Sequence, residues 1–173
     1  MEKPRVLYAL ENRVCFLRLE GKVRYPQTKG LGAFAERLFA AGPIDEVVID
    51  LSRLSFIDST NLGELMHIAY LLRKSSGCTP IVVSPQPAVA ETLGDMGLDK
   101  IFTIARETDD TTPPMITMPC MNQSPREQTE AVLRAHRRLM SLNERNREVF
   151  RDVVQGLERE LSKLPDSAGP DKA

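Results

Sequence analysis

Three consecutive side chains, Asp58-Ser59-Thr60, carry the most specific chemistry in this sequence. A carboxylate followed by two hydroxyls supplies oxygen acceptors for the unpaired amides of a helix's first turn. The same hydroxyls can accept a phosphoryl group. A phosphate held there would meet free amides and the positive end of the helix dipole, so the fold would tolerate it. Local sequence alone leaves both readings open, a simple cap or a modification site. Other reactive groups are sparse. His67 and His136 are the only histidines, and neither sits in a ligand or triad spacing. His67 is expected to be solvated on the outer side of a helix, and His136 to pack within an apolar stripe. Asp50 and Asp58 could pose as paired carboxylates, but no general acid or glycine-rich phosphate cradle accompanies them. Catalysis is therefore not expected, nor is a metal or a cofactor.

The elements that must position this cluster can be read from periodicity. Val6-Leu7-Tyr8-Ala9-Leu10 and Val14-Cys15-Phe16-Leu17-Arg18-Leu19 flank Glu11-Asn12, which predicts an antiparallel hairpin. Leu31, Phe34, Ala35 and Leu38 follow helical spacing up to Gly42-Pro43. Glu46-Val47-Val48-Ile49-Asp50-Leu51 suits a strand buried on both faces. A helix then opens near Ser59 or Thr60, with Leu62, Leu65, Met66, Ala69 and Leu72 on its core side. Pro80-Ile81-Val82-Val83 predicts a strand, residues 87 to 96 a helix and Ile101-Phe102-Thr103-Ile104 a last strand. This alternation predicts an α/β fold, a mixed sheet with packed crossover helices.

From Ser124 the pattern changes to one long amphipathic run. Ser124, Pro125 and Glu127 form a helix start with a capping box. Val132, His136, Leu139, Asn143, Asn146, Phe150, Val153 and Leu157 recur by four and three. A straight helix over 125 to 163 would be about 58 Å long, so it must pack along the domain, meet a partner, or fold back at a kink. Asn143 and Asn146 interrupt the stripe; they either fix register as buried amides or face water. Arg134, Arg137, Arg138, Arg145 and Arg147 lie among Glu130, Glu144 and Glu148, which predicts a solvated, salt-bridged face rather than a nucleic-acid site. The expected divisions are a domain over 1–105, a linker over 106–123, a long helix over 124–164 and a frayed tail over 165–173.

Composition sets the outer bounds. With 42% hydrophobic and 27% charged residues and a net charge of −1, the chain can bury a core and has no bulk attraction for nucleic acid or anionic membrane. No stretch approaches the roughly 18 apolar residues of a membrane span, and Met1-Glu2-Lys3-Pro4-Arg5 lacks the apolar core expected of a signal peptide. Cys15, Cys78 and Cys120 are far apart and odd in number. Cys15 and Cys78 are expected to be buried, reduced thiols. These features point to the cytoplasm.

The strand followed by Asp58-Ser59-Thr60-Asn61-Leu62-Gly63, together with the later run Gly97-Leu98-Asp99-Lys100-Ile101-Phe102, resembles STAS domains as found in bacterial anti-sigma factor antagonists. The resemblance covers roughly residues 5 to 104. It implies a partner switch. A hydroxyl of this loop, Ser59 with Thr60 as runner-up, would be phosphorylated by a cognate serine kinase, often the anti-sigma factor itself, and reset by a serine phosphatase. Asp58, Ser59, Thr60, Asn61, Gly63, Glu64, His67, Ile68 and Leu71 would form the partner-binding strip, with Ile68 and Leu71 as exposed apolar anchors. Their alternative fate is burial beneath the C-terminal helix. Gly63 could allow another backbone to approach closely. Many family members have glycine where Asn61 stands. The C-terminal run Leu139-Met140-Ser141-Leu142-Asn143-Glu144-Arg145-Asn146 is similar to a proteobacterial subgroup that links phosphorelays to motility and biofilm formation, which adds a diguanylate cyclase as a second expected partner. A competing reading keeps the fold without the switch: a constitutive STAS subunit of a transporter ATPase or sensory complex.

Overall fold

Asn12 and Arg13 both take positive φ, 50° and 66°, the geometry of the tight turns whose twist matches paired strands. They join β1 (Arg5–Glu11) to β2 (Val14–Val23) in an antiparallel hairpin. The computed structural model describes residues 3–83, 85–106 and 112–166. After the hairpin, α1 (Leu31–Ala41) carries the chain back so that β3 (Glu46–Asp50) pairs parallel to β2. A tight turn follows, then β4 (Leu54–Ile57), which extends β2 in parallel at its far end. α2 (Ser59–Ser76) crosses to β5 (Ile81–Val83), and α3 (Pro87–Asp95) crosses to β6 (Thr103–Ala105). β7 (Ile116–Thr117) returns to the opposite edge against β1, so the order is β6-β5-β3-β2-β1-β7 with β4 on β2.

The expected mixed α/β sheet is thus present. Two strands were not anticipated. β4 falls in what reads as a short connection, and β7 in the polar stretch between the sheet and the C-terminal helices. Each is at most four residues long, too short to show a period. The last expected strand, residues 101 to 104, begins later, because Leu98–Lys100 winds into a 3-10 turn. Part of the expected linker, Glu107 to Thr111, and the tail from residue 167 lie outside the described residues.

Leu17, Leu19, Val47 and Ile49 from the sheet and Leu51 just past β3 meet Leu31 and Phe34 of α1 and Leu62, Leu65 and Leu72 of α2 in one core. Cys15 is buried there, and burial pushes its thiol up to about 11. Cys78 is exposed rather than buried. It sits in the turn after α2, where Gly77 has φ 75° and its amide caps Arg73 O. Among the described residues, no helix is long and apolar enough to cross a membrane.

Asp50 fixes the turn that aims the chain at α2. Burial alone would raise its carboxyl, but hydrogen bonds from Ser52 and the Arg18 guanidinium at 2.7 Å outweigh it and hold the group below its ordinary value. A carboxyl depressed in the fold stabilises above its unfolded pKa, and that stability is lost as pH falls through the folded value. Asp50→Asn is expected to cost about 1–2 kcal/mol at pH 7. Denaturant melts should show the gap closing below about pH 4, near the unfolded carboxyl value.

The C-terminal segment is helical as expected, but it is two helices rather than one. α4 (Pro125–Met140) opens with the full Ser124/Glu127 capping box. α5 (Glu144–Lys163) starts anew from Asn143, whose side-chain oxygen accepts the Asn146 amide at 2.8 Å. Ser and Asn side chains compete for backbone groups and favour such breaks. The chain folds back, α4 packs along α2, and α5 packs along α4. Leu139 and Phe150 join the main core. Asn146, 1% exposed, donates to Met96 O and Leu139 O at 3.0 and 2.8 Å, and Asn143 donates to Met96 O at 3.3 Å. The two asparagines therefore cap the turn and tie it to the end of α3, the buried of the two fates their spacing allows.

Candidate functional site

The Asp58 carboxylate sits at the mouth of α2 and accepts three hydrogen bonds. Its Oδ1 accepts the Asn61 amide and Asn61 Nδ2, each at 2.9 Å, while Oδ2 accepts the Tyr25 amide at 2.7 Å. A cap of this kind is worth about 1 kcal/mol. Asn61 is fully buried, and its side-chain oxygen accepts the Thr28 hydroxyl at 2.7 Å. Asn61 adopts ordinary helical angles, since the only non-glycine residues with positive φ among those described are Asn12 and Arg13. Its value here is the double hydrogen bond rather than backbone tolerance. Together these contacts lock α2 to the segment after β2.

The two hydroxyls differ sharply. Thr60 is 6% exposed and turned into the fold. Ser59 is half-buried, and its Oγ lies 2.9 Å from His136 Nε2 on α4. His136 Nδ1 lies 2.8 Å from Val132 O, which can only accept, so Nδ1 carries a proton. In the neutral imidazole Nε2 is then the acceptor, and the Ser59 hydroxyl donates to it. His136 is packed, 5% exposed and edge-on to Phe150 at 5.1 Å. Sequence placed it in the stripe but gave no sign that it reaches Ser59.

Four residues further along α2, Gly63 meets α4 at its closest. A Cβ added there would lie 2.5–2.6 Å from Ala135 O, Cα and Cβ. The close approach expected of this glycine is realised, and the approaching backbone is the chain's own. Glu64, expected on an outward strip, is 5% exposed. Burial raises its carboxyl pKa; Arg138 and Arg134 on α4 pull the other way, as does the Gly32 amide at the start of α1. Arg138, expected on a solvated face, turns inward, with its Nη1 3.8 Å from Glu64 Oε1. Arg137, Arg145 and Arg147 do form surface pairs, with Glu158, Asp95 and Glu144.

The rest of the expected strip is also covered. His67 is bonded to Glu36 Oε1 at 2.8 Å, with its side chain 12% exposed, instead of being solvated. Burial lowers its pKa, Arg138 adds to that, and Glu36 opposes it. Ile68 is 4% exposed and lies among Leu17, Leu31, Phe34 and Leu38, so it is a core residue between α2 and α1 and no surface anchor. Leu71 is partly buried against the same core. The helical stripe of α2 is wider than its first-choice residues suggest, because α1 claims a second side. Tyr25 was missed entirely. Its amide bonds Asp58, and its hydroxyl lies 3.2 Å from Gln123 Oε1 and 3.4 Å from Gln128 O. Burial, with the nearby Glu64 charge, lifts that phenol to about 12.

A strand, a capped helix mouth and one half-buried hydroxyl beside it define a small sheet-and-helix module. The STAS domain matches residues 7–111, and the chain belongs to that family. Solved structures agree on the fold. The anti-sigma factor antagonist SpoIIAA in its unphosphorylated form is similar over 59% of this chain and 89% of its own, with TM-score 0.53 and 21% identity. The protein TM1081 of Thermotoga maritima is similar over 57% and 78%, with TM-score 0.51 and 23% identity. No curated protein matches the chain. α4 and α5 lie beyond the matched family domain.

Proposed function

We propose that this chain is an anti-sigma factor antagonist whose partner choice is set by phosphorylation of Ser59. The observation that carries the reading is the contrast at the helix mouth. Ser59 is the first residue of α2 and keeps part of its surface open, while Thr60 is buried. Phosphate on Ser59 adds roughly −1.5 to −2 charges beside the Asp58 carboxylate. The amides of the first turn stabilise it locally. Its effect then falls on whatever protein faces α2. The structural kinship with SpoIIAA, itself an anti-sigma factor antagonist, supports the class of partner: an anti-sigma factor or serine kinase, with a serine phosphatase to reset the switch. A diguanylate cyclase is the further candidate partner, and the cytoplasm the expected compartment.

Mass spectrometry of the native chain should find phosphate on Ser59 in at least one growth condition. Ser59→Ala and Ser59→Asp baits should then differ. The alanine protein is expected to retain an anti-sigma factor, and the aspartate protein to bind it at least about tenfold more weakly, a difference of 1.4 kcal/mol. Absence of phosphate at residues 59 and 60, with equal capture by both baits, would leave a constitutive STAS subunit instead.

A further inference from the structure

We infer that the face of α2 formed by Ser59, Gly63 and Glu64 is a seat for a partner protein's helix, and that α4 fills this seat as the chain's own occupant. The helix it accepts carries a small residue followed three positions later by an arginine. This rests on the reading of α2 as a docking face and names the chemistry of what docks.

The seat has three demands, and each is visible in how α4 meets it. Gly63 is a notch that admits a backbone, and only a small side chain fits opposite: Ala135. Glu64 is buried and needs a cation, which Arg138 brings. Residues 135 and 138 lie three apart and so share one helix face. Ser59 offers a hydroxyl proton, which His136 accepts. None of this is required by the family domain, which ends before α4 begins.

The occupant is also built to be exchanged. The large apolar side chain it gives to the main core, Leu139, lies at the end away from the helix start, and the next, Phe150, belongs to α5. Beside Gly63 and Glu64 α4 places Ala131, Arg134, Ala135 and Arg138. The one buried side-chain polar atom without a partner among the described residues is Arg138 Nη1, at this same contact. At 3.8 Å from Glu64 Oε1 it is an ion pair that stops short of a hydrogen bond. A partner helix that places its arginine closer would satisfy both groups better than α4 does.

The test uses the full chain and a labelled, end-blocked peptide copy of residues 124–142. In the unaltered chain α4 masks the seat. In an Ala135→Leu chain the added bulk faces the Gly63 notch and unseats α4, while α2 keeps its surface. Fluorescence anisotropy should show the peptide binding the Ala135→Leu chain at least about tenfold more tightly than the unaltered chain, since a masked site lowers affinity in proportion to its open fraction. A peptide carrying R138E should not bind. Hydrogen exchange should show α4 opened and the sheet amides still protected. Should Ala135→Leu lose its sheet protection, an Arg138→Glu chain, which sets like charges together, replaces it. Equal, weak peptide binding by every folded variant, or undisturbed α4 protection, overturns the inference. No phosphate enters these measurements, so failure of the Ser59 switch and failure of the seat are read separately.

Discussion

Gly63→Ala should loosen the C-terminal helices while leaving α2 more helical than before. Intrinsic propensity favours alanine over glycine by about 1 kcal/mol in a helix interior, so an isolated α2 gains from the change. In the folded chain the new methyl would lie 2.5–2.6 Å from backbone and side-chain atoms of Ala135. Backbone at that distance cannot swing aside as a flexible side chain does. Overpacking of this kind costs about 1–3 kcal/mol, and the cheapest relief is retreat of α4. Hydrogen exchange read by mass spectrometry should show faster exchange across residues 125–163 and unchanged or slower exchange across 59–76. Unchanged protection of α4 would mean that it does not sit where the close approach places it.

Asn146→Leu should be the most damaging single change in the hairpin, although the apolar stripe invites a leucine there. Asn146 is 1% exposed and donates to both Met96 O and Leu139 O. Leucine adds apolar volume but removes one hydrogen bond from each of two carbonyls at the ends of α3 and α4, leaving Met96 O with Asn143 Nδ2 and Leu139 O with the Leu142 amide. A hydrogen bond of this kind is worth about 0.5–1.5 kcal/mol, so a loss of about 1–3 kcal/mol is expected. For a chain of this size that lowers Tm by roughly 2–12 °C. Asn143→Ser, which keeps a capping oxygen, should cost far less. A stabilised Asn146→Leu chain would show that the amide faces water.

The hairpin, the alternating strands and helices and the capped mouth of α2 were legible because each is a local signal. Alternation, helical period and cap residues can all be read within a dozen positions. The relations between elements were not. Ile68 was placed outward because its own helix offered a sufficient inner stripe, and only the position of α1 shows that a second side is buried. Position off the core stripe puts Glu64 on a surface and charge mixing puts Arg138 on another, yet the two meet, Glu64 buried and Arg138 partly so, across helices far apart in sequence. The break at Ser141–Asn143 was signalled by the same asparagines that read as flaws in a continuous stripe. The Ser59–His136 contact joins residues 77 apart and left no trace in spacing.

β7 has a bearing on solubility. It covers β1 only at Leu7 and Tyr8, with Met118 adding a bond to Val6 O. Leu10 and Ile116 remain half or more exposed beside that short cover. An open strand rim with apolar side chains invites a second molecule to add its own strand, the first step toward fibrous aggregates. Two residues of chain thus act as a gatekeeper for the β1 edge of the sheet. A fragment ending before residue 112 would lose that cover and self-associate more readily than the intact protein.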